Sequence, residues 1–346
     1  MNEIVALLLL QDGIVNGAVY ALLGLSLVMV FSVTRIIFVP QGELVSFGAL
    51  TLAALQAGQW PGTIWVSSLG AGAVSLVDLW RYTQTGRDPG LLRSAIGYAI
   101  VAIGVAALWW LDLRQMTQWQ QLIVALVIVS PISVIIYRLA FEPIANASVL
   151  TLLVVAVAVH FALLGLGLIL FGPEGVRTAA LTTLSIQVGP YTIVGQAVLV
   201  GLVASSLMMM MFIYFEYTIQ GKALRATAFN RVGARLVGIE VTAAGRIAFL
   251  FTGIIGAVSG ILISPITTIY YDTGFLIGLK GFVAAIFGGM LSYPLTVVGA
   301  LFIGIFDTFS SFWASAFKDV IVFALIIPVL LWRNVFSQIV EEDEGE

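Results

Sequence analysis

Apolar residues run through this chain in blocks too long for a strand and too continuous for an amphipathic surface helix. Blocks of about 17–25 apolar residues recur along its length, and each can cross a bilayer. The alternating apolar–polar period of a membrane barrel is absent. In chain order the predicted spans are Ile14–Ser32, Leu44–Gly58, Ile64–Val77, Ala95–Leu111, Leu122–Tyr137, Val149–Phe171, Ile193–Phe215, Ile247–Ile263, Phe275–Leu291, Leu295–Phe312 and Val320–Trp332. Leu44–Gly58 is short and glycine-flanked, which fits a tilted or broken helix. Leu79–Arg93 reads as a polar loop with Asp88-Pro89-Gly90 as its turn. Gly172–Gly189 reads as a polar outer segment and Glu216–Arg246 as a central loop. The acidic tail, 337–346, reads as disordered. The predicted fold class is an all-α polytopic transmembrane bundle of about nine to eleven spans, one domain over residues 1–346.

Composition supports that class. Of 346 residues, 60% are hydrophobic and 10% charged, and mean hydropathy is +1.09. No soluble domain needs so much apolar surface. The absence of cysteine excludes disulfides and thiolate chemistry. Met-Asn-Glu lacks the basic region of a signal peptide, so the first span is expected to be retained.

The charges are segregated. With the central loop inside and spans alternating outward, Arg35, Arg81, Arg87, Arg93, Arg138, Arg333, Lys222, Arg225, Arg231, Arg235 and Arg246 lie inside. Arg114, Arg177 and Lys318 lie outside, and Lys280 falls within a span. Cationic loops stay cytoplasmic, so eleven against three places the N-terminus outside and the C-terminus in the cytoplasm.

The central loop also has helical character. Gly221 can start a turn, Ala223–Ala228 contains good helix formers, and Gly233 weakens the run. At helical spacing Lys222, Arg225 and Phe229 share one side, with Leu224 and Ala228 on another. An ordinary loop would use these charges for orientation alone. A short surface helix docking into a partner protein uses their spacing as well.

Charged groups inside a membrane are functional candidates by default. Here they are Glu43 after Pro40-Gln41-Gly42, Lys280, Asp307 and the sole histidine, His160. Glu43 and Lys280 are candidates to meet a solute or to pair with each other; for Asp307 and His160 a helix-packing contact is favoured. No chain of carboxylates suggests an ion-coupled carrier. The pairs Gly13/Gly17, Gly256/Gly260 and Gly274/Gly278 have the spacing of close helix crossings. Pro131, Pro265 and Pro328 are expected to kink spans.

Enzyme motifs are missing. There is no H-E-x-x-H or G-x-S-x-G, one histidine cannot supply two zinc ligands, and Gly221-Lys222 is followed by alanine, so there is no P-loop. If ATP drives this protein, another chain binds it.

Three regions resemble the permease subunits of branched-chain amino-acid (high-affinity) ABC transporters. They are Gly17-Ala-Val-Tyr20 through Arg35-Ile-Ile and Gly42-Glu43; Gly221-Lys-Ala-Leu-Arg225-Ala with Asn230-Arg231 and Arg235-Leu-Val-Gly238; and Gly274-Phe through Leu279-Lys280-Gly-Phe282, Gly288-Gly289 and Gly299 to Gly304. The resemblance implies two paired permeases, identical or homologous, in the inner membrane with lipid around them. It also implies two cytoplasmic ATPases carrying ATP and magnesium, with no cofactor in this chain, and a periplasmic solute-binding protein. ATPase coupling would fall on Gly221, Lys222, Arg225, Ala226, Asn230, Arg231, Arg235 and Gly238. A solute path would pass Gln41, Glu43, Asp272 and Lys280, near broken helices in two inverted halves. Nucleic acid has no place in this reading.

The match has departures. Family members often read Asn-Phe-Ala-His-Gly-Glu where this chain has Phe38-Val-Pro40-Gln41-Gly42-Glu43, and Glu-Ala where it has Val232-Gly233. Residues 79–111 look like an insertion carrying an added span. Amino acids are the first expectation for the solute; urea, short amides and aromatic acids are alternatives. A self-sufficient channel or carrier for a small neutral solute is the alternative of another class.

Overall fold

The computed structural model describes residues 3–84, 88–188 and 191–331. Helices dominate. They are α1 (Glu3–Thr34), α2 (Gln41–Gln56), α3 (Thr63–Gln84), α4 (Pro89–Ala107), α5 (Gln118–Ile136), α6 (Val149–Phe171), α7 (Gly195–Tyr217), α8 (Ile219–Phe229), α9 (Arg231–Leu236), α10 (Val241–Ile263), α11 (Thr273–Phe287), α12 (Tyr293–Trp313) and α13 (Lys318–Ala324). A hairpin of β1 (Ser185–Val188) and β2 (Tyr191–Val194) pairs Ser185 with Val194, starting in the outer polar segment and taking the first two residues of the span expected from Ile193. Among the described residues, α1, α3, α4, α5 continued to Ile144, α6, α7, α10 and α12 are long and apolar enough to cross a membrane.

Two apolar helices are half-length. α2 has 16 residues and α11 has 15, so each is roughly 22–24 Å long against a hydrocarbon core of about 30 Å. The short second span expected from Leu44–Gly58 is therefore found, whereas Phe275–Leu291 is shorter than predicted. α1 ends where Arg35 adopts a left-handed φ of 62°. Ile36 and Phe38 then run back, buried, into the bundle. α2 starts deep inside, because Gln41 Nε2 donates to the Leu23 carbonyl at 3.0 Å. Leu23 lies eleven positions before Thr34, or about 16 Å along α1.

The half-helices meet at their beginnings. A Cβ on Gly274 would strike the Gly42 carbonyl, and one on Gly278 would sit 2.9 Å from Gly42 Cα. Ser46 Oγ accepts from the Gly274 amide at 2.8 Å and donates to the Tyr270 carbonyl at 3.1 Å. As the chain climbs from Gly42 to Ser46 its partner descends from Gly278 to Tyr270, so the two helices run antiparallel and overlap at their N-termini. Each rests on the other's long neighbour, α2 on α10 and α11 on α1. Glycine permits these approaches: Gly260 abuts the Val45 carbonyl, and Gly304 of α12 lies against the backbone of Gly13 and Gly17. All three predicted glycine pairs are crossing points of this kind.

The described parts of Leu79–Arg93 are mostly helical rather than loop. α3 extends to Gln84, and Asp88 caps α4 by accepting from the Gly90 amide at 2.8 Å; Arg87 lies outside the described residues. Asp78 is tolerated in a helix because it is buried against Arg138 of the α5 extension and accepts from Ser94 Oγ of α4 at 2.6 Å. α4 packs chiefly on α3 and exposes most of its apolar surface.

The prolines behave differently from one another. Pro131 lies inside α5, which continues through a π-helical turn at Tyr137–Phe141. Pro265 follows the end of α10 and terminates it rather than kinking it. Near Pro328 the predicted last span is interrupted: α13 stops before Leu325 and helix resumes at 326–331. Proline cannot donate to the carbonyl four residues back, here Ala324. The acidic tail lies outside the described residues.

Candidate functional site

Glu43 and Lys280, candidates for pairing with each other, have different partners. Glu43, in the first turn of α2, is buried and faces His160 of α6, with Nδ1 2.6 Å from Oε1. The His160 ring stacks on Phe275 of α11, centroids 4.3 Å apart. Gln41 turns away toward α1 and bonds Leu23 and Ser26. Glu43 and Gln41 therefore tie α2 to α6 and α1.

Lys280 belongs to a second cluster. Its ammonium lies 2.8 Å from Asp307 Oδ1 of α12 and 3.0 Å from Asp319 Oδ1 of α13. Tyr20 of α1 donates to Asp307 Oδ2 at 2.8 Å. Asp307 is thus held on both oxygens and buried, while the Asp319 side chain is 33% exposed. Desolvation of so many charges is affordable only where each has a partner. The cluster forms the floor of a cavity of about 460 Å³, whose rim includes Leu9, Asp12, Thr267 and Lys318. The rim residues belong to the N-terminal half of α1, the segment after α10 and the start of α13, so the cavity opens away from α8. Asp272, another candidate, is exposed at the start of α11 with no side-chain capping bond.

The central stretch is two helices rather than a loop, and Arg246 sits within α10. α8 is capped by Thr218, whose Oγ1 accepts from the Gly221 amide at 2.9 Å. Gly221, Leu224 and Thr227 form its buried face. A Cβ on Gly221 would collide with the Tyr214 carbonyl, so glycine lets α8 press against α7. The opposite face presents Lys222, Arg225, Ala226 and Phe229, the last 94% exposed. Arg225 Nη1 donates to Glu216 Oε2 at 2.7 Å. Asn230 caps α9 through the Gly233 amide at 2.9 Å, and Gly238, at φ 85°, reverses the chain after it. Arg235 reaches Asn146 before α6. Partial burial, then proximity to Arg235 and Arg35, lowers the Arg231 pKa. Gly221 and Gly238 therefore act through backbone geometry, and Lys222, Arg225, Ala226 and Phe229 offer a surface.

The same end of the bundle carries a buried ionic network. Arg138 engages Asp78 and Glu142, and Glu142 receives Arg246 Nη2 at 3.0 Å. Arg138 also lies over the Tyr98 ring, 5.6 Å from its centroid. The network ties α3, α4, α5 and α10 together beside α8.

Residues 9–330 match the family described as branched-chain amino acid transport system / permease component. The chain belongs to that family. The permease is 26% identical to the high-affinity branched-chain amino acid transport system permease protein LivH of Escherichia coli K12, over 92% of this chain and 91% of LivH. It is 25% identical to BraD of Pseudomonas aeruginosa, a permease protein of the same description, over 68% of this chain and 79% of BraD. It is 28% identical to the probable branched-chain amino acid transport permease protein LivH of Methanocaldococcus jannaschii, over 68% and 76% of the two chains.

The permease holds residues at its candidate site that sequence reasoning passed over: Tyr20, Asp12 and Asp319. Asp307 was a candidate, but only for packing. A signal existed, since Lys280 and Asp307 are lone charges in successive spans, and isolated intramembrane charges of opposite sign tend to find each other.

Proposed function

We propose that this permease is the membrane-spanning subunit of an ATP-driven importer for branched-chain or closely related amino acids. Two such permeases pair, two ATPase subunits bind ATP and magnesium at the α8 end, and a solute-binding protein delivers at the opposite end. The names of the relatives support the solute class. α8 is the single structural observation that carries the coupling. It is fixed on one face by Gly221, Leu224 and Thr227 and presents two cations and an exposed aromatic on the other. Exposed aromatics flanked by cations are suited to act as interface anchors. Because Thr218 is the only residue between α7 and α8, a pull on α8 moves α7. Alternating access would follow as ATPase closure displaces α8 and re-gates the spans, with α2 and α11 meeting at the centre.

On this reading the N-terminus is outside, the C-terminus cytoplasmic, and the cavity above Lys280 faces the delivery side. Gln41 and Glu43 set the crossing of the half-helices, while Lys280 and Asp272 stand nearer the solute path. Arg225→Glu tests the coupling. ATPase co-purification at low salt should fall, because reversing a charge at a complementary interface is repulsive. An undiminished complex would remove α8 from the contact.

A further inference from the structure

The partners of Lys280 are unequal, and the inequality has a chemical meaning. Asp307 is buried, bonded on both oxygens, and anchored by Tyr20. Asp319 touches the same ammonium through one oxygen at 3.0 Å, with its side chain a third exposed at the cavity. It sits on α13, a seven-residue helix that ends at an interruption before Pro328. One lysine thus contacts a buried carboxylate held on both oxygens and a second, partly exposed one held on a single oxygen.

We propose that the Lys280–Asp319 pair is the binding site for the head group of a free α-amino acid. The solute carboxylate replaces Asp319 on the Lys280 ammonium, and the solute ammonium takes the released Asp319 carboxylate. One ion pair becomes two, with no change in net charge and no charge left unpaired in the membrane. Asp307 and Tyr20 hold Lys280 in place throughout. The side chain of the solute lies against Leu9, Val15, Leu276, Ile277 and Phe312, which line the same cavity. These apolar residues offer contact to a branched aliphatic group within a cavity that is otherwise mostly polar, and its volume of about 460 Å³ lies within the usual range for small-molecule sites. A simple acid or amine that opens the pair strands Asp319 or Lys280, and neutral urea or an amide gains no ion pair at all, so each is disfavoured against an amino acid. The inference rests on the importer reading above and names the chemistry by which this chain itself recognises the solute.

The test uses the full chain, purified with its co-purifying partners in nanodiscs. Binding is measured for L-leucine, for 3-methylbutylamine, which lacks the carboxylate, and for 4-methylpentanoate, which lacks the ammonium. L-leucine should bind at least about tenfold more tightly than either analogue, the scale of one lost charge pair. Asp319→Asn should weaken L-leucine by a similar factor, because the solute ammonium loses its partner, and should tighten 4-methylpentanoate, which no longer has to displace a carboxylate from Lys280. Lys280→Met should weaken both, and Asp319→Glu should restore L-leucine. Melting curves identify variants that lose binding by unfolding; because Lys280→Met also removes the partner of buried Asp307, the deciding variants are Asp319→Asn and Asp319→Glu. Equal binding of the three compounds, or wild-type L-leucine binding by Asp319→Asn, overturns the proposal. Uptake by the assembled importer separates the two ideas. If leucine uptake is robust but no leucine binds at Lys280, this inference fails and the importer reading stands. If the assembly takes up no branched-chain amino acid, the importer reading fails as well.

Discussion

Gly42 and Gly274 touch backbone to backbone at the point where α2 and α11 begin. No side chain larger than hydrogen fits on either residue without moving a helix. Gly274→Ala should therefore destabilise the permease by about 1–3 kcal/mol, the usual cost of overpacking. Thermal unfolding in detergent measures it, with Gly97→Ala as control, since a Cβ there meets nothing within 4 Å. Equal melting of the two variants would contradict the crossing.

Lys280 and Asp307 form a buried pair, so removing one partner should cost far more than removing both. Lys280→Met is expected to lose about 3–5 kcal/mol, and the double variant with Asp307→Asn should recover much of it. Lys280→Met combined with Glu43→Gln should show near-additive losses, because those residues have separate partners. A strong coupling between positions 43 and 280 would overturn the assignment of partners.

The Arg138 network predicts a similar asymmetry. Arg138→Met leaves Asp78 and Glu142 without their shared cation and should cost about 3–5 kcal/mol. Arg225→Glu disrupts a half-exposed pair with Glu216 and should change stability by less than about 1 kcal/mol. If Arg225→Glu melts like wild type yet loses the ATPase, the effect lies in docking rather than folding. Comparable melting losses at both positions would refute the distinction.

Orientation has a direct chemical test in a chain with no cysteine. Arg177→Cys and Lys222→Cys sit at opposite ends of the bundle. An impermeant thiol reagent applied to intact cells should label the first and spare the second. Labelling of Lys222→Cys alone would invert the topology.

The long spans were legible because continuous apolar runs need no distant partner to be recognised. Val149–Phe171 matches α6 end to end, and Ile193–Phe215 matches α7 within two residues at each end. The face of α8 was legible too, since Lys222, Arg225 and Phe229 follow helical spacing. Partner choice was not. Whether Lys280 meets Glu43 or Asp307 depends on how helices rotate and cross, and local pattern carries no such term. Leu79–Arg93 was misread for the same reason. Its charges look solvated in sequence, but the α3 turn just before it is held by Asp78, which is answered by Arg138, 60 positions later.

The half-helices also bear on biogenesis. When α2 first reaches the bilayer it is too short to cross, and its leading residues lie at a depth where water cannot satisfy them. Its seat is made by α10 and α11, and the Ser46–Gly274 bond joins residues 228 positions apart. Most of the chain must therefore be synthesised before α2 can settle. Gln41 and Glu43 find their partners earlier, in α1 and α6, so a ribosome stalled before α10 would leave the insertion machinery holding a half-helix tethered on one side and unsupported on the other.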